Sequence, residues 1–187
     1  MINPFSAPKA FDDLDQVLRI EELFLLQRVA QKISSILDLE TLLDQIISDV
    51  ASTFGYKRLA ILLKEDQTDE LVIAAGWTGE LCLKGTRFKI GQGPGIGAHA
   101  AATGETFYAP DVRKIPFYVV GEQDTRSEID IPLKIRGGDL IGVFNVQHTE
   151  LNAFSPERIR LLEALAGHVS TAIANARMFQ RERLEKE

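Results

Sequence analysis

The stretch from Ser127 to His148, SEIDIPLKIRGGDLIGVFNVQH, reads as two strands joined by a turn. Ile129, Ile131, Leu133 and Ile135 fall on alternate positions and point one way, while Asp130, Pro132 and Lys134 point the other. Gly137-Gly138 supplies the turn, and Leu140–Gln147 returns as the last strand. Pro132 has no N–H to give to a ladder, which predicts a sheet edge or a bulge there.

Downstream, Ser155-Pro156-Glu157 is a helix start: a capping hydroxyl, proline in the first turn and an acid near the positive end. The helix runs to about Arg183. Leu162, Leu165, Val169, Ala172, Ala176 and Phe179 recur at spacings of three and four, with Ile159, Ala166 and Ile173 on the adjoining flank. One stripe can face a sheet and the other a partner helix. Upstream, Asp12 to Leu37 is helical by the same test, with Leu23, Leu26, Ala30, Ile33 and Leu37 on one face and Leu14, Leu18, Phe24 and Leu25 elsewhere. Asp38 caps a second helix, Leu39–Phe54, and Gly55 follows where a terminating glycine is expected.

Between these helices and the hairpin the period changes. Arg58–Leu63 and Leu71–Trp77 read as a first hairpin around the polar Lys64–Glu70, and Thr86–Lys89 as a short third strand. Gly91–Gly97 (GQGPGIG) leads into a short helix, Ile96–Thr103, followed by a short strand at Thr106–Ala109. Asp111–Arg126 is polar and irregular. The order of elements is that of an α+β layered fold, with the terminal helices on one face of an antiparallel sheet and an insertion, roughly residues 79–126, over the other.

Composition narrows the function classes. The chain has 187 residues, 21 Lys+Arg against 27 Asp+Glu, and a net charge of −6. It fits one domain, residues 12–187, behind a flexible tail at residues 1–11. An acidic chain lacks the footprint of a direct nucleic-acid binder. No segment is long and apolar enough for a membrane span, and no signal peptide is visible, so a cytoplasmic location is expected. One Cys and three His exclude an intrachain disulfide and argue against a structural zinc site.

The ordered pieces resemble the GAF domain family. Leu39–Gly55 is similar to its entry helix and RLAILL and LVIAAGW to its first hairpin. GQGPGIGAHAAATGETFYAPDV is similar to its glycine loop and helix, and SEIDIPLKIRGGDLIGVFNVQH with the final helix to its closing segment. The likeness covers about residues 23–180. It implies a six-stranded antiparallel sheet, related to profilin-like and PAS folds, with a small-molecule pocket beneath the inserted helices. It also implies a role as a ligand sensor in signalling proteins, relayed through the terminal helices.

Pockets are mostly apolar with a few placed polar groups. That inventory makes Trp77, Phe88, Ile96, His99, Tyr108, Asp111, Phe117, Tyr118, Arg126 and Glu128 the candidate ligand-binding residues. Arg126 can pair an acidic ligand bidentately. GQGPGIG has neither phosphate-loop spacing nor a following Lys and reads as tight turns. No nucleophile–base pair stands out. Free methionine sulfoxide reductases resemble this domain but carry two or three cysteines and carboxylates on the last strand, where this chain has Asn145 and Gln147. One cysteine also cannot complete a thiol–disulfide cycle internally. Cyclic-nucleotide-binding members carry an Asn-Lys…Phe…Asp-Glu set, which Asn152 and Phe154 followed by Ser-Pro-Glu leave incomplete.

The expectation is therefore a non-catalytic sensory module, not an enzyme. It would bind a small ligand of unassigned identity and pair with a second copy through residues 14–37 and 158–183, with no cofactor assigned. Ranked behind it are a haem or redox sensor using His99 or Cys82, a dimerisation module without ligand, and a reductase-like enzyme.

Overall fold

The computed structural model describes residues 10–78, 84–91 and 93–186, with the backbone alone for 10–18, 21, 77 and 78. Helices α1 (Ala10–Ser34) and α2 (Leu39–Phe54) precede strands β1 (Arg58–Lys64), β2 (Glu70–Thr78) and β3 (Arg87–Lys89). Helix α3 (Ile96–Thr103), strand β4 (Phe107–Ala109) and a single 3-10 turn at Val112–Lys114 follow. Strands β5 (Ser127–Lys134) and β6 (Leu140–His148) and helix α4 (Pro156–Lys186) complete the chain. The strands form one antiparallel sheet in the order β3-β2-β1-β6-β5-β4. No described helix is long and apolar enough to cross a membrane.

Local chemistry sets most boundaries. The Thr41 N–H bonds the Asp38 carboxylate at 2.8 Å, and Gly55 ends α2 in the left-handed conformation, its N–H on the Ala51 carbonyl. Helix α1 begins at Ala10, two residues ahead of the expected start, and stops at Ser34 rather than Leu37. Its end is a competition for carbonyls. The Ser34 and Ser35 hydroxyls donate to Gln31 and Lys32, and the Ile36 N–H turns back onto Ile33. The polar Asp111–Arg126 segment is less irregular than its sequence suggests. The Asp111 carboxylate accepts the Arg113 N–H and nucleates the 3-10 turn.

Helices α1, α2 and α4 share one face of the sheet. Ile33, Leu42, Ile46, Ile61, Phe144 and Leu165 are fully buried in the core between them. The opposite face is covered by α3 and the segments around it. Pro132 lies beyond the end of β4, whose register stops at Phe107↔Asp130, so β5 has no outer neighbour there. A register shift follows between Leu133 and Lys134. The alternation of β5 is present, but its polar side is not solvent: Glu128 and Asp130 are as buried as Ile129 and Ile131. This double burial creates the site.

Candidate functional site

Four side chains on two adjacent strands make the floor. Register pairs Asp130 with Asn145 and Glu128 with Gln147 across β5 and β6. In a strand, residues two apart share a face, so all four point to the same side. Asn145 Nδ2 donates to Glu128 Oε1 at 2.9 Å and to Asp130 Oδ1 at 3.1 Å, using both of its hydrogens. Its own Oδ1 accepts from Gln147 Nε2 at 3.2 Å, and Gln147 Oε1 accepts from the Thr125 hydroxyl at 2.9 Å. The Thr125 oxygen accepts from Arg58 Nη1 at 3.1 Å, and Arg58 is held in turn by Asp124. Every donor in this chain points from the Arg58 end toward the carboxylates. Both amides are thereby fixed in orientation, and the two acids are held on one side only.

Their other oxygens are free. Glu128 Oε2 and Asp130 Oδ2 are buried with no hydrogen-bond partner, as is the Tyr118 hydroxyl. Buried polar atoms without partners are rare and mark strain or a ligand position. Burial, then the adjacent Asp130 charge, pushes the Glu128 carboxyl well above the ordinary range, while burial lifts Asp130 to about 6. Two interacting acids titrate as a unit, and burial favours the protonated form of both. Burial and the Glu128 charge also raise the Tyr118 phenol.

These atoms open into a cavity of about 230 Å³. Ala60, Leu62, Ile73 and Phe88 give it an apolar wall, and the Val119–Glu122 segment forms another side. Helix α3 enters with Gly95, Ile96, Gly97 and Ala98. A Cβ on Gly97 would lie 3.0 Å from Asp130 Oδ1, so glycine is what lets the helix start approach the acid. The arrangement suits a small molecule with a cationic end at the carboxylates and an aliphatic body along the wall.

Of the residues expected at a pocket, Phe88, Ile96, Tyr118 and Glu128 meet at this cavity. The Trp77 side chain lies outside the described residues, as does Cys82. The rest are placed elsewhere. Tyr108 packs against the helical core, edge-on to Phe154, with its hydroxyl facing the Phe154 N–H. Asp111 caps the 3-10 turn. His99 stacks on Phe117 at 3.5 Å between ring centres, and its Nε2 meets the Gly93 carbonyl at 3.0 Å. That contact occupies one of the two ring nitrogens of His99. Phe117 packs edge-on to Phe107. Arg126 lines a second cleft instead. The sequence reading missed Asp130, and read Asn145 and Gln147 only as missing carboxylates. The signal was there: polar residues at matched alternate positions on two otherwise apolar strands.

The family model described as GAF domain matches residues 21–174. The chain is 27% identical over 119 residues to the free methionine-R-sulfoxide reductase of Saccharomyces cerevisiae, covering 60% of this chain and 64% of that protein, somewhat under two thirds of its length. Among solved structures, a free methionine-R-sulfoxide reductase from Neisseria meningitidis with its substrate superposes with a TM-score of 0.76 at 24% identity, over 95% of this chain and 98% of that one. The GAF domain of an Acinetobacter phosphoenolpyruvate-protein phosphotransferase gives 0.74 at 20% identity, over 86% and 97%. These findings correct the expectation of a non-catalytic sensor that is not an enzyme, because reductases stand among the relatives in both sequence and fold. Across the ladder from Asn145 and Gln147 on β6 stand the two buried carboxylates of β5, Asp130 and Glu128.

Proposed function

Proceeding from a chain that belongs to the GAF domain family, we propose that it is a reductase of free methionine sulfoxide, holding the amino acid in the cavity above β5 and β6. The observation that carries this reading is the pair of unpartnered oxygens, Glu128 Oε2 and Asp130 Oδ2, at the floor of a partly apolar cavity. An α-ammonium group supplies the donors they lack, and the charge it brings offsets their desolvation. A methionine side chain suits the wall of Ala60, Leu62, Ile73 and Phe88. The start of α3 places backbone N–H groups at the same cavity, where the substrate carboxylate is accommodated.

The chemistry falls to Cys82, the one thiol in the sequence. In the sequence it falls between Gly76 and Thr86, both of which line the cavity. The Cys82 thiol takes the oxygen from the sulfoxide, giving methionine and a Cys82 sulfenic acid. An external thiol then condenses with the sulfenic acid, releasing water and forming a mixed disulfide. A second external thiol resolves it and restores Cys82. The net reaction turns one sulfoxide and two thiols into one thioether, one disulfide and one water. With a single cysteine, the resolving thiol must come from outside the chain.

The test is methionine formation from free L-methionine-R-sulfoxide with a dithiol reductant, comparing the protein with Cys82→Ser. Turnover is expected in the first and loss to background in the second. No methionine from the parent protein, or undiminished activity in Cys82→Ser, contradicts the assignment.

We also propose pairing with a second copy through α1 and α4, which pack on one another. Ile20, Leu23 and Phe24 on one and Met178 on the other are more than half exposed, which leaves apolar side chains of both helices outside the core.

A further inference from the structure

A second cleft, of about 350 Å³, lies apart from the carboxylate cavity and is lined by Arg113, Gln123, Asp124, Arg126, Thr149 and Leu151. Two guanidinium groups share it in a chain whose net charge is −6. No described side chain bonds either of them, whereas the other arginine nearby, Arg58, is fully engaged by Asp124 and Thr125. That engagement also occupies the one acid in the lining. The Arg126 Nε is buried and has no acceptor. An N–H removed from water without a partner is costly, and an Arg offers a fork of donors matched to oxyanions. Backbone bonds fix the two arginines relative to each other. The Val112 N–H donates to the Arg126 carbonyl at 2.9 Å, and the Arg126 N–H to His148 at 2.8 Å. The Gln123 amide and the Thr149 hydroxyl add neutral donors on the rim, and Leu151 gives one apolar edge.

We propose that this cleft is a binding site for a tetrahedral phosphate-type oxyanion, either free phosphate or the phosphate of a small monoester, gripped between Arg113 and Arg126. None of its lining residues lines the carboxylate cavity. The two sites share a wall, because Gly121 and Glu122 line the first and Gln123 and Asp124 the second. Occupancy of the cleft therefore steadies the 119–126 segment.

The experiment titrates inorganic phosphate and glycerol phosphate separately into the full chain at fixed ionic strength, by calorimetry, with sodium chloride as the control. Saturable binding is expected, weakened at least tenfold by Arg126→Gln and by Arg113→Gln. Amide hydrogen exchange across residues 119–126 should slow with ligand in the parent protein and not in the variants. Arg113 is exposed, so Arg113→Gln remains informative if Arg126→Gln fails to fold. Tighter binding of glycerol phosphate identifies a monoester ligand, and equal affinities identify free phosphate. Absence of saturable binding above the chloride control, or binding unchanged in Arg113→Gln, overturns the proposal.

Discussion

At the residue scale, Glu128 and Asp130 hold the fold and the site in opposition. Lifting the Asp130 carboxyl from 3.8 to about 6 means the folded chain holds a proton that the unfolded chain has released. Stability is therefore intact below pH 4 and is lost as pH rises toward and through 6, by roughly 3 kcal/mol if the group acted alone. Asp130→Asn keeps an oxygen for Asn145 Nδ2 and removes the charge. It is expected to be more stable than the parent protein by on the order of 2 kcal/mol at pH 8, with the difference vanishing near pH 4, in urea unfolding at the two pH values. Equal stabilities at pH 8 would show that the acid is not desolvated. Asp130 was also the hardest residue to read from sequence. The alternation of SEIDIPLK places it correctly opposite Ile129 and Ile131. Period alone cannot say whether a strand's second face meets water or, as here, a helix brought close by Gly97.

At the scale of elements, the sequence was most legible where capping chemistry is local. Both ends of α2 follow from Asp38 and Gly55, and α3 emerged with its observed limits. The end of α1 did not, because the hydroxyls of Ser34 and Ser35 outcompete the periodicity that continues to Leu37. Aromatic residues misled for a related reason. Tyr108, Phe117 and His99 fall near the pocket in sequence, but their rings pack into the core or onto each other. The exposed apolar faces of α1 and α4 carry the prediction proper to this scale. In sedimentation at tens of micromolar, the parent protein should run at twice the chain mass, and Phe24→Asp with Met178→Asp at the mass of one chain with an unchanged circular dichroism spectrum. A parent protein that sediments as a single chain contradicts the pairing.

At the scale of the whole molecule, the layers divide the work. Three helices and one face of the sheet form the large core, which leaves the opposite face of β1, β5 and β6 free to hold polar groups under a thinner cover. The donor chain from Arg58 to Asn145 crosses that face and aims at the acids, so the floor is organised before any ligand arrives. A cationic ligand favours the ionised form of the two acids, which burial disfavours, and this ties binding to pH. The most direct measurement is a calorimetric titration of free L-methionine-R-sulfoxide into the parent protein and Glu128→Gln between pH 6 and 8, in two buffers of different ionisation enthalpy. Binding should strengthen with pH and release protons, and Glu128→Gln should weaken it at least tenfold. Affinity that is independent of pH and unaffected by Glu128→Gln would contradict the account.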